Sequence, residues 1–348
     1  MKLKNVTRLL LYAFVIACIA PSCVKEGPMG LSGTNGTNGT NGQDGSAGTV
    51  TCLACHSGTT MDQKKAEFAM SEHALGAVAV ESEGGNPSCA RCHGSQGFIE
   101  YATLGTVVGT ITNPSAWECA TCHGLHSKFE VGDYALRFES KPVVSNQDAT
   151  YSFDFKNSSN LCVNCHQART AEPNKAKPGT TFAVSTRIGP HHGPQGNIVA
   201  GVGFAEIAGA VAYPAPGSSK HFVGSCTSCH MAAFTKGQGG HSLIPSLASC
   251  NTCHTATDVN YDHNGVQTEI AADLVKLRDL LIAKGVVKAT PDPIDPTIIT
   301  YSAVSKTVPM IQAQAAFNYF GLMDDRSEGV HNPPYVRALL LNSIAALN

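Results

Sequence analysis

Apolar residues are spread unevenly along the chain, and the pattern they make changes from segment to segment. Lys2, Lys4 and Arg8 precede an apolar run from Leu9 to Ile19. That basic-then-apolar order predicts a secretory signal peptide, and the run is too short for a good membrane span. From Gly27 to Gly48 every third residue is glycine, which is the collagen period. From Cys52 to Cys253 no helix-rich or strand-rich block is long enough to mark a separate domain. Beyond about residue 266 the pattern becomes helical, with Ile270, Leu274, Leu277 and Leu281 on one stripe, Gly285 as a stop and a break from Pro291 to Pro296. Two further helices are predicted from about Ile311 to Leu322 and from about Pro334 to Leu347. All three should bury their stripes against the core.

These shifts divide the chain into a signal peptide over 1–22, a linker over 23–50 and one main domain over 51–348, helical from about 266. Cys23 is the expected lipid-bearing first residue of a mature lipoprotein, because the chain turns polar directly after it at Lys25 and Glu26. Lipidation at Cys18, or ordinary cleavage near Ala20 with both cysteines incidental, is the alternative. The glycine repeat contains a single imino acid, Pro28. It therefore reads as a flexible tether, with a trimerising collagen-like stalk as the alternative.

Composition adds two constraints. With 7% aromatic residues, 34 glycines and 18 prolines in 348 residues, apolar side chains alone make a thin core for this length. The formal charge is −2, and without the three basic residues of the signal it is −5. No basic tract marks a nucleic-acid surface, so nucleic acid is not an expected partner.

Cysteine spacing carries the chemistry. Twelve of the 14 cysteines form six C-x-x-C pairs, each followed at once by histidine: Cys52/Cys55 with His56, Cys89/Cys92 with His93, Cys119/Cys122 with His123, Cys162/Cys165 with His166, Cys226/Cys229 with His230, and Cys250/Cys253 with His254. Two thiols on one turn can add to the two vinyl groups of one porphyrin, and the adjacent histidine then lies beneath the iron. Zinc would not require a histidine after every second cysteine, and neither would disulfides. Six haem c groups are therefore expected. Six irons need six further ligands to be low-spin, and eight histidines remain: His73, His126, His191, His192, His221, His241, His263 and His331. The expected fold is mainly α with long irregular loops, a multihaem core organised around stacked haems, and long C-terminal helices.

From about Glu67 onward the chain resembles the ammonia-forming cytochrome c nitrite reductases and their multihaem relatives. The resemblance rests on His221 followed by Cys-Thr-Ser-Cys-His-Met, on Gly-Gly-His-Ser-Leu-Ile-Pro-Ser-Leu before Cys-Asn-Thr-Cys-His, and on Ser327-Glu-Gly-Val-His331-Asn-Pro, in that order. It implies that the haems at Cys89, Cys119, Cys162, Cys226 and Cys250 match the family's five and that the haem at Cys52 is an addition. It further implies distal ligation by His73 at the Cys162 haem, His221 at the Cys250 haem, His241 at the Cys119 haem and His331 at the Cys226 haem. One of His191 and His192 is then expected on the Cys89 iron, with His126 on the Cys52 haem. The helix after residue 266 would match the family's dimer-forming helix.

Two departures bear on activity. The family's catalytic haem usually has lysine where this chain has His93, and the family's active-site tyrosine is missing from His166-Gln-Ala-Arg-Thr. Electron transfer along six haems in the cell envelope is thus the first expectation, and an envelope reductase of a small nitrogen or sulfur oxyanion with an open Cys89 haem is the alternative. The expected setting is an exported outer-membrane lipoprotein facing the periplasm or the cell surface. Its expected partners are envelope redox proteins, the membrane through the lipid, and further copies in a homodimer or trimer.

Overall fold

Three long helices, Val266–Ala283, Met310–Asp325 and Pro333–Leu347, dominate the last quarter of the chain. Ile270, Leu274, Leu277 and Leu281 are all buried on the first of them, as their spacing predicts. Gly285 ends the turn with φ +64°, a left-handed conformation that favours glycine. The third helix has proline in its first turn, and the Asn332 side chain caps it by accepting from the Tyr335 N–H.

The structure is a computed structural model that describes residues 58–126, 134–142, 144, 151–254 and 260–348. Cys18, Cys23, the glycine repeat, and the first motif with Cys52, Cys55 and His56 lie outside the described residues. The chain is mainly α-helical with long irregular loops. Among the described residues no helix is long and apolar enough to cross a membrane.

The core is distributed unequally. Its main cluster joins the three C-terminal helices to Val184, Ile198, Phe204 and Ile207. Ile270, Leu277, Leu281, Leu339 and Leu340 are completely buried there, and each contributes about 1.5–3 kcal/mol. Asn318 ties the loop at Ala205 to this cluster, donating to Ala205 O at 2.8 Å and accepting from the Ala205 N–H at 3.0 Å. Apart from Val184, Ile198, Phe204 and Ile207, the described part of the motif-bearing region has a small second cluster of Phe153, Phe155, Val163, Val199 and Ala200. The thin core expected from composition is therefore a property of that region and not of the C-terminal helices.

Two small antiparallel pairings were not predicted. Thr181–Val184 pairs with Lys306–Pro309, from Thr181↔Pro309 to Val184↔Lys306. Val287–Pro291 pairs with Ile299–Ala303. The proline-rich break is the turn of that second pair, where Asp292 Oδ1 accepts from the N–H groups of Ile294 and Asp295, an Asx-type turn.

Candidate functional site

Each of the five described C-x-x-C-H motifs closes one helical turn. The histidine N–H donates to the carbonyl of the first cysteine in three of them, His123 to Cys119 at 2.9 Å, His166 to Cys162 at 3.0 Å and His254 to Cys250 at 2.8 Å. The other two motifs lie inside the helices Pro87–His93 and Lys220–His230. Local sequence starts these helices: Asn86 accepts from the Ser88 N–H ahead of Cys89, and Ser219 accepts from the His221 N–H.

Every motif histidine among the described residues faces a second imidazole. Ring centroids are 5.8 Å apart for His166 and His73, 6.3 Å for His93 and His191, 6.3 Å for His123 and His241, 6.4 Å for His230 and His331, and 6.2 Å for His254 and His221. Two imidazoles on opposite sides of one iron, each with its nitrogen about 2 Å away, would place their centroids about 6.3 Å apart. The observed pairs fit that spacing. Among the described residues no three or more His, Cys, Asp or Glu side chains converge as a bare metal ion would require.

Hydrogen bonds fix which ring nitrogen is free. The Nδ1 atoms of His123, His221 and His230 meet the carbonyl oxygens of Tyr134 at 2.5 Å, Val330 at 2.5 Å and Leu243 at 2.7 Å. His166 Nδ1 meets Gln195 Oε1 at 3.0 Å, and His331 Nδ1 meets Asp325 Oδ1 at 2.7 Å. An Nδ1–H donated to an oxygen leaves the Nε2 lone pair available for a metal. Burial also favours the neutral ring: it lowers the His73 and His191 pKa to about 4, and lowers those of His93, His166, His230 and His241. His331 is the exception, because the Asp325 carboxylate offsets the effect of burial and raises its pKa.

The distal rings sit on short, locally held segments. His73 lies on Glu72–Leu75, which is capped by the Ser71 hydroxyl, and meets the only tryptophan, Trp117, edge-on at 5.4 Å. A Cβ at Gly76 would come within 2.7 Å of the Trp117 ring, so glycine permits that approach. His241 follows Gly239 and Gly240, with φ of +75° and +55°, and its N–H donates to Glu67 Oε2 at 2.9 Å. Glu67 is buried, and its charge is balanced by Lys64 at 2.9 Å.

One helix serves two pairs. Lys220–His230 carries His221 in its first turn and Cys226, Cys229 and His230 in its last, and between them Ser225 adopts φ 50°, ψ −158°. This break lets His221 face His254 while His230 faces His331. Such a backbone costs about 1–3 kcal/mol in a residue with a side chain. The Ser225 hydroxyl holds it in place through Ser159 at 2.8 Å and Asn157 at 2.9 Å. Ser225→Val is expected to lower the stability of the protein by about 1–3 kcal/mol, read as a fall in Tm. An unchanged Tm would show that the break needs no anchoring.

The motifs are adjacent to one another. Cys92 Sγ lies 3.9 Å from the Asn164 carbonyl oxygen and Cys165 Sγ 3.6 Å from the Arg91 carbonyl oxygen, while the segments of Cys162 and Cys226 are joined by the Thr227 N–H donating to Ser159 Oγ at 3.1 Å. Arg91 reinforces the first junction by donating to the Asn164 carbonyl at 3.0 Å while lying over the Tyr101 ring at 4.0 Å.

The remaining candidate histidines differ in exposure and in their neighbours. His192 turns away from the gap at His93, with its side chain 79% exposed and its Nδ1 3.7 Å from Asp324. His263 lies beside His254, with ring centroids 3.9 Å apart and the rings tilted by 46°. His126 is exposed at the edge of the described region. Glu67, Trp117, Gln195 and Asp325 hold the paired rings, yet no motif in the sequence singles them out.

This mainly helical scaffold resembles the fold of an envelope cytochrome. It is similar to the crystal structure of outer cell wall cytochrome OcwA, with a TM-score of 0.52 and 20% identity over 82% of this chain and 50% of that chain. The chain thus spans half the length of that protein, and the likeness is one of fold. No family model matches the chain, and no curated protein does.

Proposed function

We propose that the chain is an exported multihaem c-type cytochrome that holds six haems and passes electrons along them in the cell envelope. The observation that carries the reading is the set of five C-x-x-C-H histidines, each opposite a second imidazole 5.8–6.4 Å away. Bound haem supplies reversible one-electron reduction. The chain's own residues would supply attachment through the paired cysteines and iron ligation through the histidine pairs, and the Arg91–Asn164 and Thr227–Ser159 hydrogen bonds hold neighbouring motifs together. The sixth haem, at Cys52, rests on its motif alone, with His126 as its candidate ligand. His191 stands opposite His93 where a substrate would otherwise reach the Cys89 iron, which favours an electron carrier over an oxyanion reductase.

Location in the envelope, with a lipid on Cys23, is supported by the order of the first 26 residues and by the fold likeness to a cytochrome described as belonging to the outer cell wall. Envelope redox proteins are the proposed donors and acceptors. The test is the intact mass of protein purified from membranes. It is expected to show six haems per chain and acyl groups that disappear in Cys23→Ser. A mass without haem would overturn the reading, and acyl loss in Cys18→Ser instead would move the anchor.

A further inference from the structure

Asp325 is a buried carboxylate at the end of the Met310–Asp325 helix. Its Oδ1 accepts from His331 Nδ1–H at 2.7 Å, and its Oδ2 accepts from the Ser327 hydroxyl. Among the described residues no lysine or arginine forms an ion pair with it, and His331 is its only ionic partner. A buried charge is costly unless a compensating charge lies near. The other ring nitrogens with a hydrogen-bond partner named above meet neutral oxygens, at Tyr134, Val330, Leu243 and Gln195. Glu67 does approach His241 Nδ1, but at 3.6 Å, too long for a hydrogen bond, and Lys64 already neutralises it.

We propose that Asp325 is a positioning residue that poises the Cys226 haem at low potential: its carboxylate takes a charge-assisted hydrogen bond from His331 and stabilises the ferric over the ferrous iron. The proposal rests on the reading that His230 and His331 face one haem iron across their 6.4 Å gap. In reduction the iron gains one electron from a donor, Fe(III) becoming Fe(II), and one positive charge near Asp325 is lost. A fixed negative charge held through the ligand opposes that step. Strengthening the donated hydrogen bond also makes the imidazole a better donor to ferric iron. The consequence falls on a motif tied to its neighbour by the Thr227 N–H donating to Ser159 Oγ at 3.1 Å, where the haem would be the harder one to reduce.

The test is a redox titration of the full haem-loaded chain with dithionite, followed by the spectra of the low-spin irons. His331→Ala assigns the affected haem by removing its low-spin signal. In Asp325→Asn the ring keeps an acceptor of the same shape without the charge. The expected result is an unchanged low-spin spectrum and a tenfold easier reduction of that haem, about +59 mV for one electron. Ser327→Ala removes the hydroxyl that competes for the carboxylate, and a shift of opposite sign is expected. It decides the matter alone if Asp325→Asn does not mature. An unshifted potential in the informative variant, or conversion of Asp325→Asn to high spin, would overturn the proposal and leave Asp325 with a structural role only. Failure of the underlying reading is distinguishable, since the wild type would then lack either the haem or the low-spin signal that His331→Ala removes.

Discussion

His191→Ala is expected to convert one iron from low to high spin in the protein as isolated, while His192→Ala leaves the spectrum unchanged. The His191 ring lies 6.3 Å from His93, whereas the His192 side chain is largely exposed and directed at Asp324. Imidazole is a strong-field ligand, and removing one leaves an iron that is five-coordinate or bound to water. Covalent attachment should persist because it depends on Cys89 and Cys92. His191 itself sits at φ +69°, a conformation that costs a residue with a side chain energy unless its surroundings enforce it. They do so here: Pro190 O accepts from the Arg169 N–H at 2.8 Å, and the Thr170 hydroxyl donates to Gly189 O at 2.5 Å. The same variant should gain carbon monoxide binding and slow turnover of nitrite or hydroxylamine with a strong artificial donor. A high-spin iron in the unmodified protein, or identical spectra in both variants, would count against the assignment and favour the reductase alternative.

Producing the chain without haem attachment should split its behaviour in two. The three C-terminal helices bury their own aliphatic cluster, so they have a core that does not depend on porphyrin. The region from 58 to 254 lends Val184, Ile198, Phe204 and Ile207 to that cluster, but around its motifs it has only the small cluster of Phe153 and Phe155 among the described residues and places pairs of polar imidazoles across gaps. Chain entropy of about 1–2 kcal/mol per residue is not offset by so little burial. Amide hydrogen exchange on haem-free protein is expected to show protection confined to Val266–Ala283, Met310–Asp325 and Pro333–Leu347. Uniform protection across both regions would show that the motif region folds without its cofactor.

How much of this was legible in the sequence varied with how local the cause is. The helix Val266–Ala283 follows from Ile270, Leu274, Leu277 and Leu281, since four buried positions at helical spacing need no distant partner. The pairing of Thr181–Val184 with Lys306–Pro309 was not legible, because residues more than a hundred positions apart leave no joint periodicity. The prolines from 291 to 296 mark a break, which begins only after Pro291, itself paired with Ile299 in the first strand, and the two flanking strands are too short to announce themselves. At the site, motif histidines are marked by adjacent cysteines, and the rings opposite them were inferred through resemblance, which left His191 and His192 open. Geometry separates the two through the exposure of His192. Asp325, Glu67 and Gln195 act by pointing at an imidazole from elsewhere in the chain, and nothing in their neighbours in sequence records that.

The order of the paired histidines along the chain bears on how the molecule is made. His73 precedes His166, and His221 precedes His254, but His191, His241 and His331 come roughly a hundred residues after His93, His123 and His230. A chain exported from its N-terminus presents residues in sequence order. On the proposed reading, three of the attached haems must wait with a single imidazole until a late segment emerges, and the last of them until the turn before Pro333–Leu347 has cleared the membrane. Maturation would then end with the C-terminal helices, whose folding brings in the final ligand, so a truncated chain would be caught with reactive, half-ligated iron.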